Sequence, residues 1–521
     1  MRKQRWGIFS RFLSKGLHRG AWLFLLWILA WALQVEHRLA YPNLYLDTEV
    51  QAGAAYQLLA GNGLNWLQVD PQDWSQTKSQ ALDMFAPGYA YALAGMLCLL
   101  RDPYAAILGL DVLSLLLVFW GIKRVFNALR KDHSSVSVCL PLFLAFTLPP
   151  FHYLTGSGLW ALAYLAIAWA LLLDDWVGGD WLAWGCLWVA AYSRTAYLVL
   201  IPLLPTYWIA QGYFSNSKAL SRQGAISLLL SLAWLMWEFV HPTAAGYQGA
   251  ATARGFFPAQ LLKVEPFALK AFMYYGLPHE LQIKAWLPHI YPWFKVLAQI
   301  ASLAILWLAW GMGLRAWRER KESPKPFQFA LSLLFTSLAV LSLLGFQSLT
   351  IAAEDWNWIG YWTYLMEPRY YAPIMLGLVI WLFSQGKSKR WLTGLKLITL
   401  ATLLVGLSLK GYRWGLGSVG TFYHSSSPAL NKEAKQIKEE ADLPMVLALP
   451  QGSQAGNLVG IPCLADSSIS KIAQGIPTRD SLLIGSPIDL FPDDSVWSRT
   501  EHLGFWLMLP DSNKSSDKEG L

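Results

Sequence analysis

Apolar residues in this chain run in long blocks, at 21–33, 296–314 and 327–349 among others, separated by short polar stretches. Such blocks approach or reach the roughly 17–25 residues a helix needs to cross a hydrocarbon layer, where only a backbone that satisfies its own hydrogen bonds is tolerated. The pattern predicts spans at 20–35, 84–100, 104–122, 136–152, 159–173, 181–193, 195–212, 224–240, 294–314, 327–350, 370–385 and 391–409. The expected class is therefore an all-α polytopic membrane protein of about 11–13 transmembrane helices. The first block follows a basic leader, 1–19, carrying Arg2, Lys3, Arg5, Arg11, Lys15 and Arg19. It lacks a small-residue cleavage site and passes into polar chain, so it reads as a retained anchor.

Composition strengthens this picture. Of the 521 residues 55% are hydrophobic and only 14% charged, against roughly 25% in soluble domains. The formal charge of +8 sits in short loops between spans, which the cytoplasmic bias of Lys and Arg explains without nucleic acid. Trp160, Trp181, Trp293, Trp356, Trp358 and Trp362 lie near segment ends, where amphipathic rings favour the membrane interface. Cys98, Cys139 and Cys186 fall inside apolar segments and Cys463 stands alone in the tail, giving neither a disulfide framework nor a ligand spacing. The basic loops 315–321 and 387–390 assign the cytoplasmic side, so loops 241–293 and 351–369 and the tail after Lys410 face outward. The same alternation, carried back, sets the basic leader against Lys123, Arg124, Arg130 and Lys131 by one span. A re-entrant or surface-lying stretch at 84–100, interrupted by Pro87, repairs the count, and a mis-split at 181–212 around Arg194 and Thr195 is the other remedy.

The expected organisation is a cytoplasmic leader at 1–19, a membrane domain at 20–410 with outward loops 36–83 and 241–293, and an outward C-terminal domain at 411–521. In the last, 432–440 reads as a short charged helix and 446–449 as a strand, which predicts a small α/β soluble domain ending in disordered 511–520. No internal repeat stands out, so an inverted-repeat transporter gains no support.

The loop 36–83 carries most chemistry. Val50, Ala54, Leu58 and Leu59 fall on one helical face, with Glu49, Gln51 and Gln57 elsewhere, and Gly61-Asn62-Gly63 stops the pattern. The spacing predicts an amphipathic helix lying on the membrane surface, started by Thr48 and Gln51 as a capping box, with Asp47 just before it. A carboxylate there is stabilised by the helix dipole and needs no catalytic role to explain it.

The order of basic leader, first span, Tyr45-Leu46-Asp47-Thr48-Glu49 and a helix closing in Leu58-Leu59-Ala60-Gly61-Asn62-Gly63 resembles the start of the GT-C membrane glycosyltransferases. These include protein O-mannosyltransferases, aminoarabinose transferases acting on lipid A and rhizobial lipopolysaccharide sugar transferases. Ala86-Pro87-Gly88-Tyr89, the stretch from Arg101 to Lys123-Arg124, Tyr192-Ser193-Arg194-Thr195 with Pro202, and Glu367-Pro368-Arg369-Tyr370-Tyr371-Ala372-Pro373 resemble later family motifs in order, over about the first 410 residues. The resemblance implies transfer of a sugar from a polyprenyl-phosphate-linked donor to a glycan, lipid or protein acceptor on the outer side of a plasma (inner) membrane. It implies Asp47 as the catalytic base and Glu49, Arg194, Arg369 and Glu367 as substrate-binding residues.

Arg369 also suits a plain interfacial anchor paired with Glu367, and Arg194 a similar role. Glu354 and Asp355 suit either an acceptor or metal contact or a solvated loop. Many relatives carry a further acid before the span near Leu159, where this chain reads Pro149-Pro150-Phe151-His152-Tyr153. A divalent metal therefore stays open as a cofactor, and no metal ligand is assigned. His241, His279 and His289 with Glu265 and Glu280 match no zinc spacing. The competing functions are a transporter or flippase, for which Asp111 and Lys396 are the visible intramembrane charges, and an inactive GT-C-like scaffold.

Overall fold

The computed structural model describes residues 46–69, 77–82, 85–130, 156–174, 176, 178–240, 289–350, 368–385, 445–448, 482–485, 497–502 and 505–510. The expected spans 20–35, 136–152 and 391–409 and the charged helix at 432–440 lie outside the described residues.

The chain enters with α1 (Leu46–Leu59) and an antiparallel pair, β1 (Asn65–Val69) and β2 (Thr77–Ala81), with Asn65 opposite Ala81. Then come α2 (Gly88–Leu100) and α3 (Pro103–Leu129). The break between these two is written in two residues. Arg101 turns left-handed at φ 57° and closes α2, and Asp102 caps α3 by accepting the Ala105 N–H at 2.7 Å, with Pro103 next where no donor is needed. The two helices fold back on each other, with Met96 and Leu100 over Gly109.

α3 and α4 (Ser157–Leu173) run parallel. Three pairs fix this: Asp111 against Gly156, Gly121 against Ala166, and Arg124 3.7 Å from Asp174. The expected span at 136–152 falls between them, outside the described residues. α2 begins level with this pair, Tyr89 lying against Gly156, and contributes nothing to the apolar core around Val118, Ile122, Val125 and Phe126. It packs instead with α1 and the start of α3 through Ala52, Ala55, Leu93, Leu97, Ala106 and Leu110.

After α5 (Gly179–Ser193) the expected single span at 195–212 is two pieces, a 3-10 turn (Thr195–Leu200) and α6 (Leu203–Ser215). The interruptions are Arg194 in extended conformation and Pro202, which has no N–H to continue the ladder. α7 (Lys218–Val240), α8 (Tyr291–Arg318), α9 (Pro324–Thr350) and α10 (Pro368–Gln385) follow. α9 runs antiparallel to α6, with Phe327 5.6 Å from Phe214, ring centre to ring centre, and Ser332 and Thr336 facing Leu204 and Tyr207 across a cavity. α10 runs antiparallel to α9, with Gly377 on Leu333 and Trp381 beside Phe329. The common core gathers α4, almost wholly buried, with Trp169, Trp208, Phe329 and Trp381.

Around this core the large apolar side chains face outward: Leu116 and Trp120 on α3, Leu229 and Met236 on α7, Trp307 and Trp310 on α8. Soluble proteins do not expose such a belt. Among the described helices, α3, α7 over Lys218–Trp237 and α9 over Pro324–Leu343 are long and apolar enough to cross a membrane, with shorter apolar helices at Gly88–Leu100, Ser157–Leu173 and Tyr371–Ser384.

In the tail, β3 (Met445–Ala448) pairs parallel with β4 (Leu482–Gly485), and β6 (Phe505–Pro510) lies antiparallel between β4 and β5 (Trp497–His502). The four form one mixed sheet in the order β3-β4-β6-β5.

Candidate functional site

α1 differs from its expectation in two ways. It starts at Leu46, two residues before the expected cap at Thr48, so Asp47 lies in its first turn. Nor is it an amphipathic rod on a surface. Thr48, Glu49, Val50 and Gln51 are each 2% exposed or less, while Leu59 at the far end is 46% exposed. Polar and apolar positions alike are enclosed at the start of the helix because α2, the β1–β2 hairpin through Trp66 and Leu82, and the start of α4 cover it from different sides. The hydrophobic stripe missed this, since it scores a helix against one partner surface.

The surroundings of that first turn are built by contact. A Cβ placed on Gly156 stands 2.7 Å from Thr48 Oγ1 and 3.4 Å from the Tyr89 hydroxyl, so the start of α4 is pressed against α1 and α2 together. Gly156 itself has φ +54°, ψ −128°, a conformation that suits only glycine. Its N–H donates to Asp111 Oδ1 at 3.1 Å, and Asp111 is 1% exposed. The first turn of α2 then links this group to α5. A Cβ on Gly88 stands 2.7 Å from the Tyr192 carbonyl oxygen, two residues before Arg194.

Arg194 is half-buried at the end of α5, its N–H donating to the Ala190 carbonyl at 3.0 Å and its own carbonyl accepting the Tyr197 N–H at 2.9 Å. Arg369 lies in the first turn of α10. Because α9 opposes both α6 and α10, α10 begins at the end of the bundle where α6 begins, just after Arg194. Asp47, Glu49, Arg194 and Arg369 thus belong to elements that start or stop at one end of the bundle. The side chains of Asp47 and Arg369 lie outside the described residues, as do Glu367, Glu354, Asp355 and His152.

The opposite end carries a cluster of basic side chains, Lys123 and Arg124 on α3, Lys218 and Arg222 on α7, Arg315 and Arg318 on α8 and Lys325 on α9, while Arg101 at the head of α3 lies at the acidic end. There Trp317, Phe214 and Phe327 pack edge to face, and Arg320 stacks over Trp317. Trp160, expected at an interface, is instead 8% exposed against Tyr164, whereas Trp181 and Trp293 are exposed, at 49% and 71%.

Asp111 is the functional-site neighbour that sequence reading passed over. It was visible as a charge in a span, but nothing in its local sequence points to Gly156, 45 residues on. A cavity of about 30 Å³ between α4, α5, α6 and α9, lined by Trp169, Leu204, Tyr207, Ser332 and Thr336 among others, has room for water and none for a sugar. It lies within the apolar core, away from the acidic turn. Among the described residues no group of three or more His, Cys, Asp or Glu side chains stands ready to hold a metal ion.

The exposed apolar belt and the spanning helices define a helical membrane protein. No family model matches the sequence, and no curated protein does. Among solved structures, the chain is similar to ArnT from Cupriavidus metallidurans in the apo state, at 14% identity and TM-score 0.35, covering 94% of this chain and 97% of that one. It is similar to the same protein bound to undecaprenyl phosphate, at 13% identity and TM-score 0.35, covering 94% and 98%. At such values the likeness assigns this chain neither fold nor activity.

Proposed function

We propose that this chain is a membrane glycosyltransferase that moves a sugar from a polyprenyl-phosphate-linked donor to a cell-envelope acceptor at the outer face of the inner membrane. The observation that supports it is the gathering of the acidic first turn of α1, the Arg194 segment and the first turn of α10 at the end of the bundle opposite the cluster formed by Lys123, Arg124, Lys218, Arg222, Arg315, Arg318 and Lys325. Lys and Arg concentrate on the cytoplasmic side of membrane proteins, so the acidic turn is the outward one.

In the reaction, the acceptor hydroxyl oxygen bonds to the anomeric carbon as the bond from that carbon to the phosphate oxygen breaks. Asp47 takes the hydroxyl proton, and the lipid phosphate departs with the bonding pair. Arg194 and Arg369 supply planar guanidinium groups that pair with phosphate oxygens, and Glu49 and Glu367 help to hold the substrates.

The test begins with mass analysis of envelope glycans from cells with and without this protein, which identifies the transferred sugar. Asp47→Asn then removes the base while keeping size and shape. General-base catalysis contributes about 10²–10⁴-fold, so the variant should fold, elute as a single species in detergent, and transfer at least a hundredfold less. A folded Asp47→Asn protein that restores the glycans refutes the assignment. Loss of no glycan in cells lacking the chain favours an inactive scaffold.

A further inference from the structure

Asp111 is a buried carboxylate that the proposed reaction does not use. Burying such a group is costly unless it is paired or hydrogen-bonded, and inside a membrane protein an ionisable residue is a functional candidate by default. Its oxygen reaches across from α3 to the Gly156 N–H at 3.1 Å. Gly156 is held at φ +54°, and its Cα face abuts Thr48 Oγ1. Thr48 is the next residue after Asp47. Three elements therefore converge within one chain of contacts, α3 to the start of α4 to the first turn of α1.

We propose that Asp111 is a positioning residue for Asp47: by accepting the Gly156 N–H it fixes the turn against which Thr48 rests, and so holds the first turn of α1 in place. This rests on the reading of Asp47 as the base. A hydrogen bond that merely started α4 would need only an acceptor near its first N–H groups, and Gly156 would be free to turn away from α1. Instead the glycine that Asp111 holds is the one α1 touches. Catalytic groups misplaced by about 1 Å lose about a hundredfold in rate, so the hold on α1 has a measurable consequence.

The experiment uses the full chain in lipid nanodiscs, with its four cysteines replaced by alanine and a nitroxide on Asp47→Cys. Asp111→Ala and Asp111→Leu remove the acceptor and should raise the mobile fraction of the nitroxide spectrum at least about twofold. Asp111→Asn keeps an acceptor oxygen and should leave the spectrum unchanged. In proteins with Asp47 intact, Asp111→Ala should lower glycan transfer by about tenfold to a hundredfold, while Asp111→Asn keeps most of it. An unchanged spectrum in both acceptor-free variants overturns the proposal. So does failure of both to fold while Asp111→Asn folds, because that is a purely structural role. Transfer that survives Asp47→Asn removes the catalytic reading and leaves the spectroscopic result standing, so the two failures are told apart.

Discussion

Placing a methyl group on Gly156 probes the junction directly. Alanine at φ +54°, ψ −128° is strained, which costs about 1–3 kcal/mol. Its Cβ would stand 2.7 Å from Thr48 Oγ1, inside contact distance, and overpacking of that kind costs about 1–3 kcal/mol more. Gly156→Ala should therefore destabilise the protein by about 2–6 kcal/mol, a large share of typical net stability. The two contributions separate chemically. Thr48→Ala removes the oxygen but not the backbone strain, so in the double variant about 1–3 kcal/mol of the combined single-mutant losses should vanish as a coupling term. Unfolding titrations with denaturing detergent in mixed micelles measure all four proteins of the cycle. A Gly156→Ala protein as stable as its parent, or a cycle with no coupling, would refute the packing of α4 on α1.

Further outcomes follow from other contacts. At Gly121 a Cβ would lie 2.8 Å from the Ala166 backbone, so Gly121→Val should cost at least about 1–3 kcal/mol in the same titration, and an unchanged midpoint would show that α3 and α4 do not approach there. The Tyr56 hydroxyl is pushed up from 10.0 to about 12, by burial first and by the Asp102 carboxylate second. The half-buried neutral phenol thus contributes stability that is whole below pH 10 and is lost as pH rises towards about 12. In an ultraviolet titration, Asp102→Asn should bring one tyrosine down, and Tyr56→Phe should delete that late-titrating group. Sidedness is read by thiol labelling with a membrane-impermeant maleimide: Asn62→Cys should react in intact cells and Glu322→Cys only after permeabilisation. The reverse pattern would put α1 in the cytosol and end the enzymatic reading.

Among the described residues the long spans α3, α7 and α9 were legible because lipid-facing helices declare themselves by unbroken apolar length. Breaks were legible where a residue cannot continue a helix, as at Asp102-Pro103. Arg194 and Thr195 mark a break within 181–212, yet the 3-10 turn that follows is hidden, since Thr195–Leu200 is as apolar as any helix. Charge alternation marks one span too many, at 84–100 or within 181–212, and at the first of these α2 is a helix of 13 residues that folds back against the head of α3. What could not be read was Glu49 and Gln51 lying buried. A local pattern reports one face against one environment, and α1 is enclosed by partners 40 and more than 100 residues away, Tyr89 and Gly156.

α3 is a single unbroken rod of 27 residues, about 40 Å long, with its one proline in the first position. Near its head it grips the glycine beside the acidic turn, and near its foot it carries Arg124 beside Asp174. One continuous hydrogen-bonded helix thus ties the acidic turn at one end of the bundle to the basic cluster at the other.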